Sequence, residues 1–164
     1  FGGVLQVLGA PVGRTLGGYA FSDAVGAGKG DGSIMIVVAT DAPLSDRNLR
    51  RLAERALLGL GRTGSSASNG SGDYVIAFST APQVRRVQPR GPQPVPRTPM
   101  TFSTTELAND EASALFEGVI EATEEAIYNS LFMATTVTSR GRTVRAIPLD
   151  SVRAILARYN VKAR

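Results

Sequence analysis

The chain has 164 residues, 43% of them hydrophobic and 20% charged, and a net charge of +4 from 18 Lys plus Arg against 14 Asp plus Glu. That is the composition of one folded domain, or of a large piece of one, and not of a disordered segment. It contains neither cysteine nor histidine, which excludes disulfides, thiol chemistry, most zinc sites and every histidine-based catalytic triad.

Gly3 to Leu8 is short, apolar and compatible with a strand that Gly9-Ala10-Pro11 ends. Gly13 to Gly32 carries seven glycines and has little to bury, so it is expected to be mobile or shaped by a partner. Its Gly26-Ala27-Gly28-Lys29-Gly30 imitates a phosphate loop but fails as one. Lys29 is followed by Gly30 instead of Ser or Thr, and the loop enters a strand where a phosphate loop would leave one and open a helix. Ile34 to Ala39 is a continuous apolar run stopped by Asp41-Ala42-Pro43, which predicts a central strand buried on both faces. Ser33 stands at its mouth, directly after Gly32.

Ser45 is a candidate N-cap, with Asp46 in the first turn, for a helix carrying Leu49, Leu52, Ala53, Ala56 and Leu60 at helical spacing. Gly59 and Gly61 are expected to stop it. Gly59-Leu60-Gly61-Arg62-Thr63-Gly64 spells a dinucleotide fingerprint, but it follows a helix and precedes a loop, the reverse of a dinucleotide fold. A Gly/Ser/Asn loop, Gly64 to Asp73, leads into a second strand, Tyr74 to Ser79. Ala81 to Pro99 holds most of the nine prolines together with Arg85, Arg86, Arg90 and Arg97, and reads as an extended surface excursion. A long helix is expected from about Asn109 to Thr135, with an acidic face that is more naturally solvated than metal-binding. A short edge strand, Arg142 to Ile147, and a last helix capped by Asp150 complete the chain.

Strands and helices of comparable number, with strongly apolar strands, point to a sheet layer covered by helices, and the loop lengths leave parallel and antiparallel pairing both open. The arginines are scattered and aromatic residues are only 6%, so no nucleic-acid partner is expected. No apolar segment nears the ~20 residues of a membrane-spanning helix, so no membrane partner is expected either. Phe1 opens the chain with neither an initiator Met nor a basic signal-peptide start, which suggests a fragment or a processing product. Two polar features have both a bland and a chemical reading. Ser33 is either a Gly/Ser turn or a hydroxyl aimed by a rigid strand with glycines admitting a second group. Ser71 and Asp73 are either part of a solvated connection or two side chains on the same side of an extended chain, presented to a reacting group.

Three stretches are particular enough to resemble a family: Asp31-Gly32-Ser33-Ile34-Met35-Ile36-Val37-Val38-Ala39-Thr40-Asp41-Ala42-Pro43-Leu44, then Gly59 to Gly64 leading to Asn69-Gly70-Ser71-Gly72-Asp73, then Glu124-Glu125-Ala126-Ile127-Tyr128-Asn129-Ser130-Leu131. In this order they resemble the β-aminopeptidases, including the L-aminopeptidase/D-esterase enzymes, which are self-cleaving N-terminal-nucleophile serine hydrolases. The resemblance covers nearly all of the chain and is weakest over Ala81 to Pro99. It implies an α+β fold, an αββα sandwich, and a precursor cut at Gly32-Ser33. Residues 1–32 would be the end of the upstream α segment with a glycine-rich pre-cleavage loop. Residues 33–164 would be the nucleophile-bearing β segment, both belonging to one domain. The implied partners are the upstream α segment of the same precursor, a small peptide, amide or ester substrate, and further copies in a tetramer of such αβ units. No cofactor and no metal are implied, and the compartment is left open.

The resemblance assigns catalysis to Ser33, with Ser71 and Asp73 orienting it and stabilising charge on its amine. A chain without His or Cys needs another base, and cleavage supplies one in the freed α-amine of Ser33, whose reference pKa is ~7.7–8.0. The family's oxyanion groups, a tyrosine and an asparagine, belong to the upstream segment, so this chain alone is expected to be inactive. Two alternatives stand beside this reading. One is a noncatalytic assembly partner that kept the fold. The other is an acetyltransferase of the related ornithine acetyltransferase fold, against which a serine in place of threonine argues.

Overall fold

The computed structural model describes residues 2–17, 19–20, 32–86, 91–92, 101 and 103–162. The imitation phosphate loop at Gly26 to Gly30, Asp31 and most of the proline-rich excursion lie outside the described residues. The elements run α1 (Val12–Leu16), β1 (Ile34–Thr40), α2 (Asp46–Arg62), β2 (Asp73–Ser79), α3 (Ser113–Phe132), β3 (Val137–Ser139), β4 (Arg142–Val144) and α4 (Leu149–Arg158). Short 3-10 turns precede the long loop at Pro82–Val84 and the third helix at Asn109–Ala112.

Strands β1 and β2 pair in parallel, from Ile34 opposite Asp73 to Thr40 opposite Ser79, with α2 as the crossover between them. Both strands alternate in burial along their length. Ile36, Val38 and Val75 face a core of Leu44, Leu52, Ala56, Ala112, Phe116, Val119 and Ile120, supplied mainly by α2 and α3. The other face of β1 is open: Met35 and Val37 remain 62% and 64% exposed, and Tyr74, Ile76 and Phe78 of β2 stand beside them. The expected burial on both faces is therefore corrected. The apolar run is two-sided, but among the described residues only its helix side is covered.

Helix α2 does not stop at Gly59. It runs on to Arg62, and Gly59 is buried where α2 crosses α3, its missing side chain leaving room for the Ile120 carbonyl and Thr123. The chain turns off at Thr63 and Gly64, the latter at φ +97°. Ser45 does precede the helix, although its side chain makes no capping hydrogen bond. On the outer side, the Arg55 guanidinium lies 3.7 Å from the centre of the Phe116 ring. Arg62 reaches Glu117 and Glu124 of α3, each at 3.7 Å, so two members of the acidic face hold an arginine.

Three further expectations need revision. Gly3 to Leu8 forms no strand. Val7 makes a single bridge to Ala10 across a turn at Leu8 and Gly9, whose φ values are +48° and +84°, because the Gly-Ala-Pro sequence folds the segment back on itself. The edge strand is shorter than predicted and pairs with β3, whose exposed residues carry no apolar pattern. Helix α4 begins after Pro148, so Asp150 lies in its first turn and bonds Arg153 instead of capping. A second core joins the N-terminal arm to α4 through Val7, Ala10, Val12, Val152 and Ile155. No helix of the described residues is long and apolar enough to cross a membrane.

Candidate active site

Parallel pairing brings the two predicted polar features to one end of the sheet. Because Ile34 lies opposite Asp73, the residue before each strand meets the other at the same edge, and Ser33 comes beside Gly72. The Gly72 backbone N–H donates to Ser33 Oγ at 3.0 Å. Ser71 Oγ lies 2.6 Å from the Gly32 carbonyl oxygen and 2.8 Å from Asp73 Oδ1. Gly32, Ser33, Ser71, Gly72 and Asp73, five residues from two separate stretches, are therefore gathered by these hydrogen bonds around the Gly32-Ser33 peptide bond. Ser33 is exposed, whereas Ser71, Gly72 and Asp73 are half-buried.

Each position has a local cause. The loop before β2 is held by a backbone bond from Ser71 to the Ser68 carbonyl at 2.8 Å, which turns the chain into the strand. The i, i+2 spacing of an extended chain then puts the side chains of Ser71 and Asp73 together. Gly72 lets the loop approach closely: a Cβ there would stand 3.4 Å from Ser33 Oγ and 3.2 Å from the Tyr74 ring. Its N–H is not visible as a functional group in the sequence, where the only signal is a glycine between two polar residues.

The third motif plays a different part. The Tyr128 hydroxyl donates to Glu124 Oε1 (2.6 Å), its oxygen lies 3.1 Å from the Gln6 carbonyl oxygen, and it accepts from the Leu8 N–H (3.3 Å). Burial, and then the hydrogen bond to Glu124, raise its pKa well above the usual tyrosine range, so the hydroxyl stays protonated. Tyr128 also stacks on Phe132 at 5.9 Å. The motif thus ties the N-terminal arm to α3. A cavity of about 480 Å³ lies between that arm, Ile34 at the start of β1 and Ile127 and Leu131 of α3.

Comparison with known proteins gives these features a context. The profile described as Peptidase family S58 matches residues 1–144. The chain is 42% identical over 166 residues to the beta-peptidyl aminopeptidase BapA of Sphingosinicella microcystinivorans, covering 94% of this chain and 40% of that protein. It is 38% identical to the BapA of Sphingosinicella xenopeptidilytica, covering 93% and 38%. Among solved structures, the L-aminopeptidase D-Ala-esterase/amidase of Ochrobactrum anthropi, described as a variant of the Ntn hydrolase fold, superposes with a TM-score of 0.74. It shares 31% identity, over 98% of this chain and 41% of that one. A Burkholderia sp. beta-aminopeptidase gives a TM-score of 0.75 at 34% identity, over 99% and 42%. The chain thus spans about 40% of the length of these relatives. The fold is the α+β sandwich type of the Ntn hydrolases, and the relatives carry peptidase names, not those of acetyltransferases. The chain belongs to peptidase family S58.

Proposed function

We propose that this chain is the nucleophile-bearing part of a serine aminopeptidase that cuts its own precursor at Gly32-Ser33 and then removes N-terminal residues from short peptides, amides or esters. The observation that carries the reading is the pair of hydrogen bonds flanking that peptide bond, Ser71 Oγ to the Gly32 carbonyl oxygen at 2.6 Å and Gly72 N–H to Ser33 Oγ at 3.0 Å. A donor on the carbonyl oxygen favours attack at its carbon, and a donor on Oγ fixes the direction of the attacking atom.

In self-cleavage, Ser33 Oγ forms a bond to the Gly32 carbonyl carbon and the Gly32–Ser33 C–N bond breaks. The hydroxyl proton passes to the departing nitrogen. Water then hydrolyses the ester, giving the Gly32 carboxylate and a Ser33 with a free hydroxyl and a free amine. In turnover that amine, near neutral in its reference pKa of ~7.7–8.0, takes the Ser33 hydroxyl proton as Oγ attacks the acyl carbon of the substrate. Ser71 and Asp73 hold the amine and offset its positive charge, and the proton goes on to the leaving amine or alcohol. Water, deprotonated by the same amine, then adds to the acyl carbon of the Ser33 ester, the bond from Oγ to that carbon breaks, and the proton returns to Oγ as the acid is released. No cofactor enters either sequence.

The remainder of the enzyme is assigned to the upstream α segment of the precursor, with residues 1–32 as its end and 33–164 as the β segment. The apolar face of β1 and β2 that no described residue covers, with Met35, Val37, Tyr74, Ile76 and Phe78 exposed, supports a second layer packed there. An αββα sandwich places a sheet at that position, and the oxyanion donors would arrive with it. Assembly of these αβ units into a tetramer belongs to the same reading and is checked by light scattering. The experiment is to express the chain with its natural upstream region, sequence the N-termini of the fragments and profile aminoacyl p-nitroanilides. A terminus at Ser33 together with release of p-nitroaniline is expected, and an intact junction without turnover refutes the proposal.

A further inference from the structure

We infer that the single proton of the Ser71 hydroxyl is contested by two acceptors, the Gly32 carbonyl and the Asp73 carboxylate, so that Asp73 restrains cleavage of the Gly32-Ser33 bond and serves turnover only afterwards. This inference rests on the function proposed above and adds a regulatory role for Asp73 within it. Ser71 Oγ sits within hydrogen-bond reach of both oxygens, at 2.6 Å from Gly32 and 2.8 Å from Asp73 Oδ1. A serine hydroxyl has one proton to donate, so the two bonds cannot both be made by donation from Ser71. An ionised carboxylate is the stronger acceptor, about twofold over a neutral carbonyl.

The surroundings keep the competition in place. Asp73 is the first residue of β2 and is fixed opposite Ile34 in the parallel ladder, so its backbone is held where its carboxylate meets Ser71. The Gly72 N–H meanwhile holds Ser33 Oγ beside the bond to be cut. Whenever the Ser71 proton lies on the Gly32 oxygen, it stabilises the charge that develops there as Oγ adds to the carbon. Whenever it lies on Asp73, that help is withdrawn. Once the C–N bond is broken and the ester hydrolysed, the Gly32 carbonyl is no longer an acceptor fixed at this position. The Ser71 hydroxyl is then free for Asp73, and its oxygen lone pairs are free for the new amine. One hydroxyl thus acts first on the scissile carbonyl and then as a positioning group for the matured Ser33.

The test follows cleavage of the full-length precursor by intact mass after rapid synthesis, and turnover of aminoacyl p-nitroanilides by the matured protein. Asp73→Asn and Asp73→Ser, both neutral, are expected to speed the appearance of the Ser33-headed fragment several-fold while lowering turnover at least tenfold. Ser71→Ala is expected to slow cleavage by ~10²–10³, the usual loss for one oxyanion donor, and Ser71→Thr to restore most of it. If both Asp73 variants cleave at the wild-type rate or slower, the contest for the proton is refuted. Full cleavage in Ser71→Ala refutes it equally. A wild-type precursor that never acquires a Ser33 terminus fails at the earlier step and refutes the proposed function itself.

Discussion

Replacing Gly59 with alanine tests how tightly the crossover helix is seated against its neighbour. A Cβ at this position would stand 2.6 Å from the Ile120 carbonyl oxygen and 2.8 Å from Thr123 Cβ. The first contact is with α3 backbone and cannot be relieved by a rotamer change. Thr123 is also confined, being buried with its hydroxyl donating to the Val119 carbonyl at 2.7 Å. The helices must therefore separate, an overpacking strain of ~1–3 kcal/mol. Against it stands the better helix propensity of alanine, ~1 kcal/mol. The net expectation is a loss of up to ~2 kcal/mol. Gly61 is the matched control, in the same helix with nothing within 4 Å of its would-be Cβ, so Gly61→Ala keeps the propensity gain alone. Urea unfolding of both variants in the complete protein measures the difference, which isolates the packing cost at ~1–3 kcal/mol. Equal stabilities for the two variants would refute the close α2–α3 contact.

Other perturbations follow from the same geometry. Tyr128→Phe removes the hydroxyl shared by Glu124, Gln6 and Leu8. A loss of ~1–3 kcal/mol is expected, with faster amide exchange over Leu5 to Leu8, and unchanged exchange there would contradict it. The raised pKa of Tyr128 gives this a pH signature. Its stabilisation is complete below ~10, where the unfolded tyrosine is still neutral, and declines as pH rises above that. The stability gap between wild type and Tyr128→Phe should therefore narrow in alkaline urea titrations. Val37→Asp puts a charge on the open sheet face, where a solvated side chain would tolerate it. If the upstream segment packs there, the variant should fail to accumulate as soluble, processed protein, and normal yield and processing would argue against that layer.

Elements with a strong internal period are legible in the amino-acid sequence alone. Strand β1 is marked by the apolar run Ile34 to Ala39, and α2 by its leucine and alanine spacing. How they meet is not written in one sequence, since the connections permit either strand direction. The parallel ladder is what brings Ser33 to Gly72. Ser71 and Asp73 are legible as a pair because extended chain repeats every two residues. The Gly72 N–H is not, since every non-proline residue has one. Gly59 reads as a stop because glycine is helix-breaking in isolation, while here close packing against Ile120 and Thr123 outweighs propensity. The segment Gly3 to Leu8 misleads in the opposite sense, its apolar letters serving a turn that docks on α4.

The most direct measurement compares the wild-type precursor with Ser33→Ala by intact mass and N-terminal sequencing, with aminoacyl p-nitroanilide hydrolysis recorded on the same samples. The account predicts two fragments, one beginning at Ser33, and turnover in the wild type, against a single uncut chain with no turnover in the variant. Cleavage between residues 32 and 33 in Ser33→Ala, or hydrolysis by a chain that never breaks there, would contradict it.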